Sequence, residues 1–166
     1  MKRLTRRVLI LVLLLLLVGC DHASKGIAKA ELEAGGAREL IRGIVSFRYV
    51  ENTDVAFNLL RWVPGTIRVP LLLVAGAVAV AALCFALLRA QKNVSMPLFA
   101  LLLVTAGAVG NHLDRVFRGY VVDFVHLKHW PVFNVADVYI TVGLAFLAWS
   151  FLVKRRRGSP VDQTVG

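Results

Sequence analysis

The chain has 166 residues, 58% of them hydrophobic, and its mean hydropathy is +0.70. This composition excludes an ordinary soluble domain and a disordered chain, and the length allows one domain, residues 1–166. The net charge is +10, from 20 Lys and Arg against 10 Asp and Glu; in so apolar a chain we attribute it to membrane topology and expect no nucleic-acid partner.

Four segments are candidates for transmembrane helices, each of which needs roughly 20 apolar residues. Val69–Leu88 and Asn93–Leu113 carry no charge, and Pro131–Val153 carries only Asp137, close to its start. Val8–Cys20 is shorter, and it reaches span length only if the helix continues beyond it. The predicted spans are approximately residues 6–28, 69–88, 95–114 and 134–153.

The charges outside these spans predict their orientation. The two termini and the link between the second and third spans hold ten cations and one acid, a net charge of +9. The other segments hold ten cations and nine acids, a net charge of +1. The positive-inside rule therefore predicts a multi-pass protein of the bacterial inner membrane with both termini in the cytoplasm. Residues 29–68 and 115–133 would lie at the outer, periplasmic face.

The outer segments contain short predicted elements. The first helix is expected to extend over Ala23–Glu33. Ile44–Val50 and Val55–Leu60 are rich in β-branched and aromatic residues, and Glu51–Asp54 between them is typical of a turn, which predicts a hairpin on the membrane surface. The second outer segment starts extended at Tyr120–Val125. The predicted fold class is therefore an all-α membrane protein with four transmembrane helices, a small β-hairpin and an extended outer loop.

Three carboxylates are predicted at the same outer edge of the membrane: Asp114, Asp123 and Asp137. An ionisable residue beside a span is a functional candidate by default. Each also has a structural explanation. Asp114 can form an interfacial ion pair with Arg115, Asp123 can be a solvated strand residue, and Asp137 can form a capping box with Asn134 at the start of the last helix.

The functional interpretation uses Asp123 and Asp137 together. If the two carboxyl groups face each other, like charge disfavours ionising both, and they share one proton. The ionised group can then take a proton from water while the protonated group polarises a peptide carbonyl. The pattern therefore predicts peptide hydrolysis at the membrane surface.

Other interpretations remain open from the residues alone. Asp123, His126 and His129 recur every third residue, with His112 nearby, and on a helix they could bind a metal, although the β-branched run favours a strand. Leu17–Cys20 is similar to a lipoprotein cleavage site, which would make the protein a lipoprotein or membrane scaffold. The edge carboxylates could also act as relay groups of a small ion- or proton-coupled membrane protein.

Five motifs, in order along the chain, resemble those of the lipoprotein signal peptidases, also called signal peptidase II. They are Asp21-His22-Ala23-Ser24-Lys25, Asn52-Thr53-Asp54-Val55-Ala56-Phe57, Gly110-Asn111-His112-Leu113-Asp114-Arg115, Val121-Val122-Asp123-Phe124 and Phe133-Asn134-Val135-Ala136-Asp137. Two positions depart from the family pattern: His22 replaces the usual Gln, and Asp54 replaces the usual Gly of a turn.

The resemblance implies an aspartic endopeptidase without cofactor or metal, with Asp123 and Asp137 as its catalytic residues. It would cleave the signal peptide of a prolipoprotein just before the cysteine that carries diacylglycerol. Its partners would be diacylated prolipoproteins and membrane lipids, and we expect a monomer. The substrate-binding or supporting residues would be Asn52, Asn111, Arg115, Asn134, Asp114, Asp21 and Lys25.

Overall fold

The computed structural model describes residues 3–53, 63–89 and 95–157, which form four helices and one three-stranded antiparallel sheet of strand order β1-β2-β3. The helices are α1 (Arg3–Leu32), α2 (Gly65–Arg89), α3 (Met96–Arg118) and α4 (Val135–Arg157). The strands are β1 (Arg38–Ile41), β2 (Val45–Asn52) and β3 (Val121–Leu127).

Among the described residues, three helices, α2, α3 and α4, are long and apolar enough to cross a membrane. α1 has 30 residues and a length of about 45 Å at 1.5 Å per residue. Its uncharged stretch, Val8–Cys20, is shorter than a usual span. The predicted extension of the first helix through Ala23–Glu33 is confirmed, because α1 continues to Leu32.

α3 is more buried than α2 and α4, and it packs against the other three helices. Small residues allow its close approach to α4. A Cβ added at Gly107 would collide with the Ala136 carbonyl oxygen and lie 2.7 Å from Ile140 Cγ1, and one added at Gly143 would lie 2.7 Å from the Ala100 carbonyl oxygen. Glycine at positions 107 and 143 therefore permits the close packing of α3 against α4.

β1 and β2 form a hairpin that was not predicted, with its turn at residues 42–44, where Gly43 has a φ of +66°. Glu51 and Asn52, predicted as a turn, belong to β2 and pair with the start of β3. That prediction was wrong because pairing with β3, which is distant in sequence, outweighs local turn propensity. The predicted strand Val55–Leu60 and residue Asp54 lie outside the described residues.

β3 is tied at both ends to the helices that flank it. Gly119 ends α3 with a φ of +81°, and its N–H donates to the Arg115 carbonyl oxygen at 3.2 Å. After β3 the chain turns back, and Val125 and Phe133 exchange two backbone hydrogen bonds of 2.9 and 3.0 Å. This return brings the first turn of α4 beside Asp123, at the end of the bundle where α3 finishes.

Candidate active site

Asp123 lies in β3 opposite Val50 of β2, and only 3% of it is exposed. Both of its carboxylate oxygens accept hydrogen bonds from side-chain amides. Asn52 Nδ2 donates to Oδ2 at 2.7 Å, and Asn134 Nδ2 donates to Oδ1 at 2.6 Å. The last residue of β2 and the residue that precedes α4 therefore hold this carboxylate between them.

Asp137 lies in the first turn of α4 and forms the predicted capping box with Asn134. The Asp137 N–H donates to Asn134 Oδ1 at 3.1 Å, and the Asn134 N–H donates to Asp137 Oδ2 at 3.1 Å. The other carboxylate oxygen, Oδ1, accepts from Asn111 Nδ2 at 2.9 Å. Asp137 is half-buried, so its carboxylate is both fixed and reachable.

Asn134 joins the two carboxylates. It is fully buried, and its side-chain amide donates to Asp123 and, at 3.2 Å, to Asn111 Oδ1, while its main chain donates to Asp137. Asp123 and Asp137 therefore both accept a hydrogen bond from the same residue, Asn134. The sequence placed them at the same depth, and the structure brings them into one hydrogen-bond network.

The environment of Asp123 favours its protonated form. Burial raises the pKa of Asp123 from 3.8 to about 6; the hydrogen bond from Asn52 opposes this rise, and the neighbouring charge of Asp137 adds to it. The hydrogen bond from Asn134 and the charge of Lys25 also oppose the rise. The carboxyl group consequently keeps a proton to a higher pH than an ordinary aspartate.

A second cluster lies directly behind the first and consists of Asp21, Lys25 and Asp114, all fully buried or nearly so. Lys25 Nζ donates to Asp21 Oδ2 at 2.7 Å, across one turn of α1. It also lies 2.8 Å from Asp114 Oδ2, as an ionic contact, since no described residue hydrogen-bonds that oxygen. Arg118 Nη1 lies 2.9 Å from Asp114 Oδ1, so two cations balance two carboxylates.

Two connections, one through Asn111 and one direct, join this cluster to the first turn of α4. Lys25 Nζ donates to Asn111 Oδ1 at 3.0 Å, and Asn111 in turn donates to Asp137. Asp21 Oδ1 accepts from the Ala136 N–H at 2.9 Å. α1 therefore contacts the turn that carries Asp137 both directly and through Asn111.

Arg115 and His22 lie at the edges of these clusters. Arg115 Nη1 donates to the Asn111 carbonyl oxygen at 3.1 Å, and its guanidinium is close enough to Asp123 and Asp137 to interact with their charges. His22 is 3.7 Å from the carboxylate of Asp21 and 3.8 Å from that of Asp114. His22, one of the two positions that depart from the family pattern, thus borders the buried cluster of Asp21, Lys25 and Asp114.

The helical metal site considered for Asp123, His126 and His129 is not formed. Residues 121–127 are a strand, and His129 lies beyond its end with a φ of +65°. His126 Nδ1 is instead 3.2 Å from Ser46 Oγ on the neighbouring strand. Within residues 3–53, 63–89 and 95–157, no three or more His, Cys, Asp or Glu side chains are placed to hold a metal ion.

Two groups at the site were missed by the sequence analysis. Arg118 pairs with Asp114, and their spacing of four residues along a helix could have suggested it. The Ala136 N–H, which donates to Asp21, left no signal in the sequence, because a backbone donor is not encoded by residue type. All seven predicted supporting residues belong to the two clusters or border them.

Comparisons with known proteins agree on one family. The model of the family described as signal peptidase (SPase) II matches residues 13–153. The lipoprotein signal peptidase of Streptococcus pneumoniae is 32% identical over 93% of this chain and 99% of the relative, and that of Streptococcus thermophilus is 36% identical over 93% and 98%. A solved bacterial membrane enzyme aligns with a TM-score of 0.79, at 25% identity, over 92% of this chain and 93% of its own. This chain therefore belongs to the signal peptidase II family.

Proposed function

We propose that Asp123 and Asp137 are the catalytic pair of this aspartic peptidase, which removes the signal peptide from prolipoproteins. The bond to be cleaved lies just before a cysteine that carries diacylglycerol. The observation that carries the proposal is the position of Asn134, which donates hydrogen bonds to both carboxylates and so fixes them on either side of one residue.

The environments of the two carboxyl groups suggest their roles. Asp123 is buried and has its pKa raised to about 6, so it is the group that holds the proton and polarises the scissile carbonyl. Asp137 is half-buried, accepts two hydrogen bonds and lies at the N-terminus of α4, where the helix dipole favours negative charge. It takes a proton from the attacking water, and this proton then passes to the leaving amine.

The surrounding amides and Arg115 support this chemistry. Asn52 and Asn134 orient Asp123, and Asn111 orients Asp137. Arg115 supplies positive charge beside the pair, where the tetrahedral intermediate develops an oxyanion. Orientation of this kind matters because displacing a reacting group by about 1 Å costs roughly 100-fold in rate.

The site is suited to a substrate that is anchored in a membrane. It lies where α3 ends and α4 begins, and we place this end of the bundle at the periplasmic face of the inner membrane, with both termini in the cytoplasm. α1 supplies the fourth span: Leu11, Leu15 and Leu16 on it are exposed as lipid-facing residues are, and the arginines before them can reach the headgroups. The bond before a lipidated cysteine anchored at the outer surface would then lie at the same depth in the membrane as Asp123 and Asp137.

Membership of the family favours hydrolysis over the ion-coupled and scaffold alternatives. An ion relay usually carries its carboxylates near the middle of the membrane. Here Asp114, Asp123 and Asp137 lie at the ends of helices or in the sheet. Cys20, the basis of the lipoprotein alternative, lies within α1, which continues for twelve residues to Leu32.

The test is cleavage of a diacylated prolipoprotein by purified enzyme in detergent or lipid. Asp123→Asn and Asp137→Asn should each lose cleavage, at least about 1,000-fold as for a catalytic group, while the variants still insert and unfold normally. Glu33→Gln is the matched control, because Glu33 is an exposed acid whose ion pair with Lys29 is long, at 3.8 Å. Near-normal turnover in either aspartate variant would refute the assignment.

A further inference from the structure

We propose that Lys25 is a positioning residue, whose buried ammonium group fixes the amide of Asn111 so that its NH2 group faces Asp137 and holds that carboxylate in the orientation needed to activate water. The inference rests on the proposed function, because it assigns a role to Lys25 only if Asp137 is the group that activates water. Lys25 lies on α1, behind the catalytic pair, and touches neither of its carboxylates through a hydrogen bond recorded among the described residues.

The partners of the Asn111 amide determine its orientation. Asn111 Oδ1 receives two donors, Lys25 Nζ at 3.0 Å and Asn134 Nδ2 at 3.2 Å. Its NH2 group must therefore point the other way, where it donates to Asp137 Oδ1 at 2.9 Å. The flipped amide would place its NH2 group against an ammonium and another amide donor, and would turn its oxygen towards a carboxylate.

The ammonium group of Lys25 is held in a fixed position. Lys25 is fully buried and is held by Asp21 at 2.7 Å and by Asp114 at 2.8 Å. Arg118 balances the remaining charge of Asp114. A cation with a carboxylate on either side has little freedom to move, so its third neighbour, Asn111, is held in place as well.

The groups around Asp137 come from three elements. Arg115 approaches from α3, Asp123 from β3, and the Lys25–Asn111 link from α1. The NH2 group of Asn111 is one of the donors that orient the Asp137 carboxylate, together with the Asn134 N–H. Removing Lys25 frees the Asn111 amide to turn, which weakens this donor to Asp137.

Four variants test the proposal in the cleavage assay, with kcat, KM and thermal stability as readouts. Lys25→Met keeps the length but removes the donor. Lys25→Gln also removes the charge but can donate to Asn111 Oδ1. Lys25→Met combined with Asp114→Asn restores the charge balance in case the single variant does not fold. Lys29→Met is the matched control, because Lys29 is an exposed lysine one turn further along α1, 3.8 Å from Glu33 and outside the two clusters.

We expect Lys25→Met, alone or combined with Asp114→Asn, to lower kcat by about 10- to 100-fold, the effect of losing one hydrogen bond to a charged group. KM should change little. Lys25→Gln should recover part of this kcat at equal thermal stability. Lys29→Met should keep the wild-type kcat and KM.

The proposal is overturned if the Lys25→Met variants keep the wild-type kcat, or if Lys25→Gln and Lys25→Met are equally impaired in proportion to their loss of stability. The proposed function fails separately, if Asp137→Asn remains active. An inactive Asp137→Asn together with an unchanged Lys25→Met would leave the catalytic pair in place and remove only the role given to Lys25.

Discussion

Asn134 has two proposed roles, capping α4 and orienting Asp123, and the variant Asn134→Ala tests them by separate measurements. The substitution removes the side-chain cap of α4, worth about 1 kcal/mol, and the hydrogen bond to Asp123 at 2.6 Å, worth about 1.5–3 kcal/mol because one partner is charged. The cap acts on the free energy of unfolding. The bond to Asp123 acts on the orientation of a reacting group, so we expect kcat to fall by about 10- to 100-fold.

The assay pairs steady-state cleavage of a diacylated prolipoprotein with equilibrium unfolding of the same preparation. Ser95→Ala is the matched control, since Ser95 caps α3 at the other end of the bundle without a side-chain hydrogen bond, and it should change neither quantity. The reasoning is refuted if Asn134→Ala keeps kcat within about threefold of wild type while its stability falls, because the loss would then be that of the cap alone.

Two further predictions concern pH and helix packing. Burial, with the charge of Asp137, raises the pKa of Asp123 to about 6, so kcat/KM should fall as pH rises above about 6. Asp137→Asn should lower the pKa of Asp123, which infrared titration of its carboxyl group measures. An unchanged pKa would contradict the coupling between the two groups. Gly107→Ala should cost about 1–3 kcal/mol of stability and most of the activity, because the added Cβ collides with the Ala136 carbonyl oxygen. Gly19→Ala is the control and should be tolerated, because its Cβ would have nothing within 4 Å. Equal effects of the two substitutions would contradict the role of close packing at Gly107.

Local patterns predicted the helices well and the capping box in detail. Asn134 and Asp137 form their reciprocal bonds because both partners lie within one turn, so spacing alone determines the geometry. The same holds for Asp21 and Lys25, which lie one turn apart on α1. The predictions that were confirmed are therefore those in which sequence distance and spatial distance agree.

Features that depend on distant pairing were not predictable in the same way. The hairpin turn was placed at Glu51–Asp54 because those residue types favour turns, but Asn52 stays in β2 and reaches Asp123, 71 residues later. Lys25 and Asn111, 86 residues apart, meet only because α1 and α3 pack together. Residue types at these positions indicate that polar partners are needed and do not say which ones.

The buried cluster of Asp21, Lys25 and Asp114 connects α1 to the candidate active site. Burying an ammonium and two carboxylates costs several kcal/mol per ion before their attraction offsets it, and apolar side chains of similar size often stabilise a fold as well or better. Helix packing alone would therefore not require Lys25, Asp21 and Asp114 at 1% exposure or less. What apolar residues could not supply are the bonds from this cluster to Asn111 and to the Ala136 N–H, which fix the first turn of α4 and the carboxylate it carries. If Asp137 is the catalytic group that we propose, the need to orient it explains why a buried ion cluster that stability alone does not require is kept.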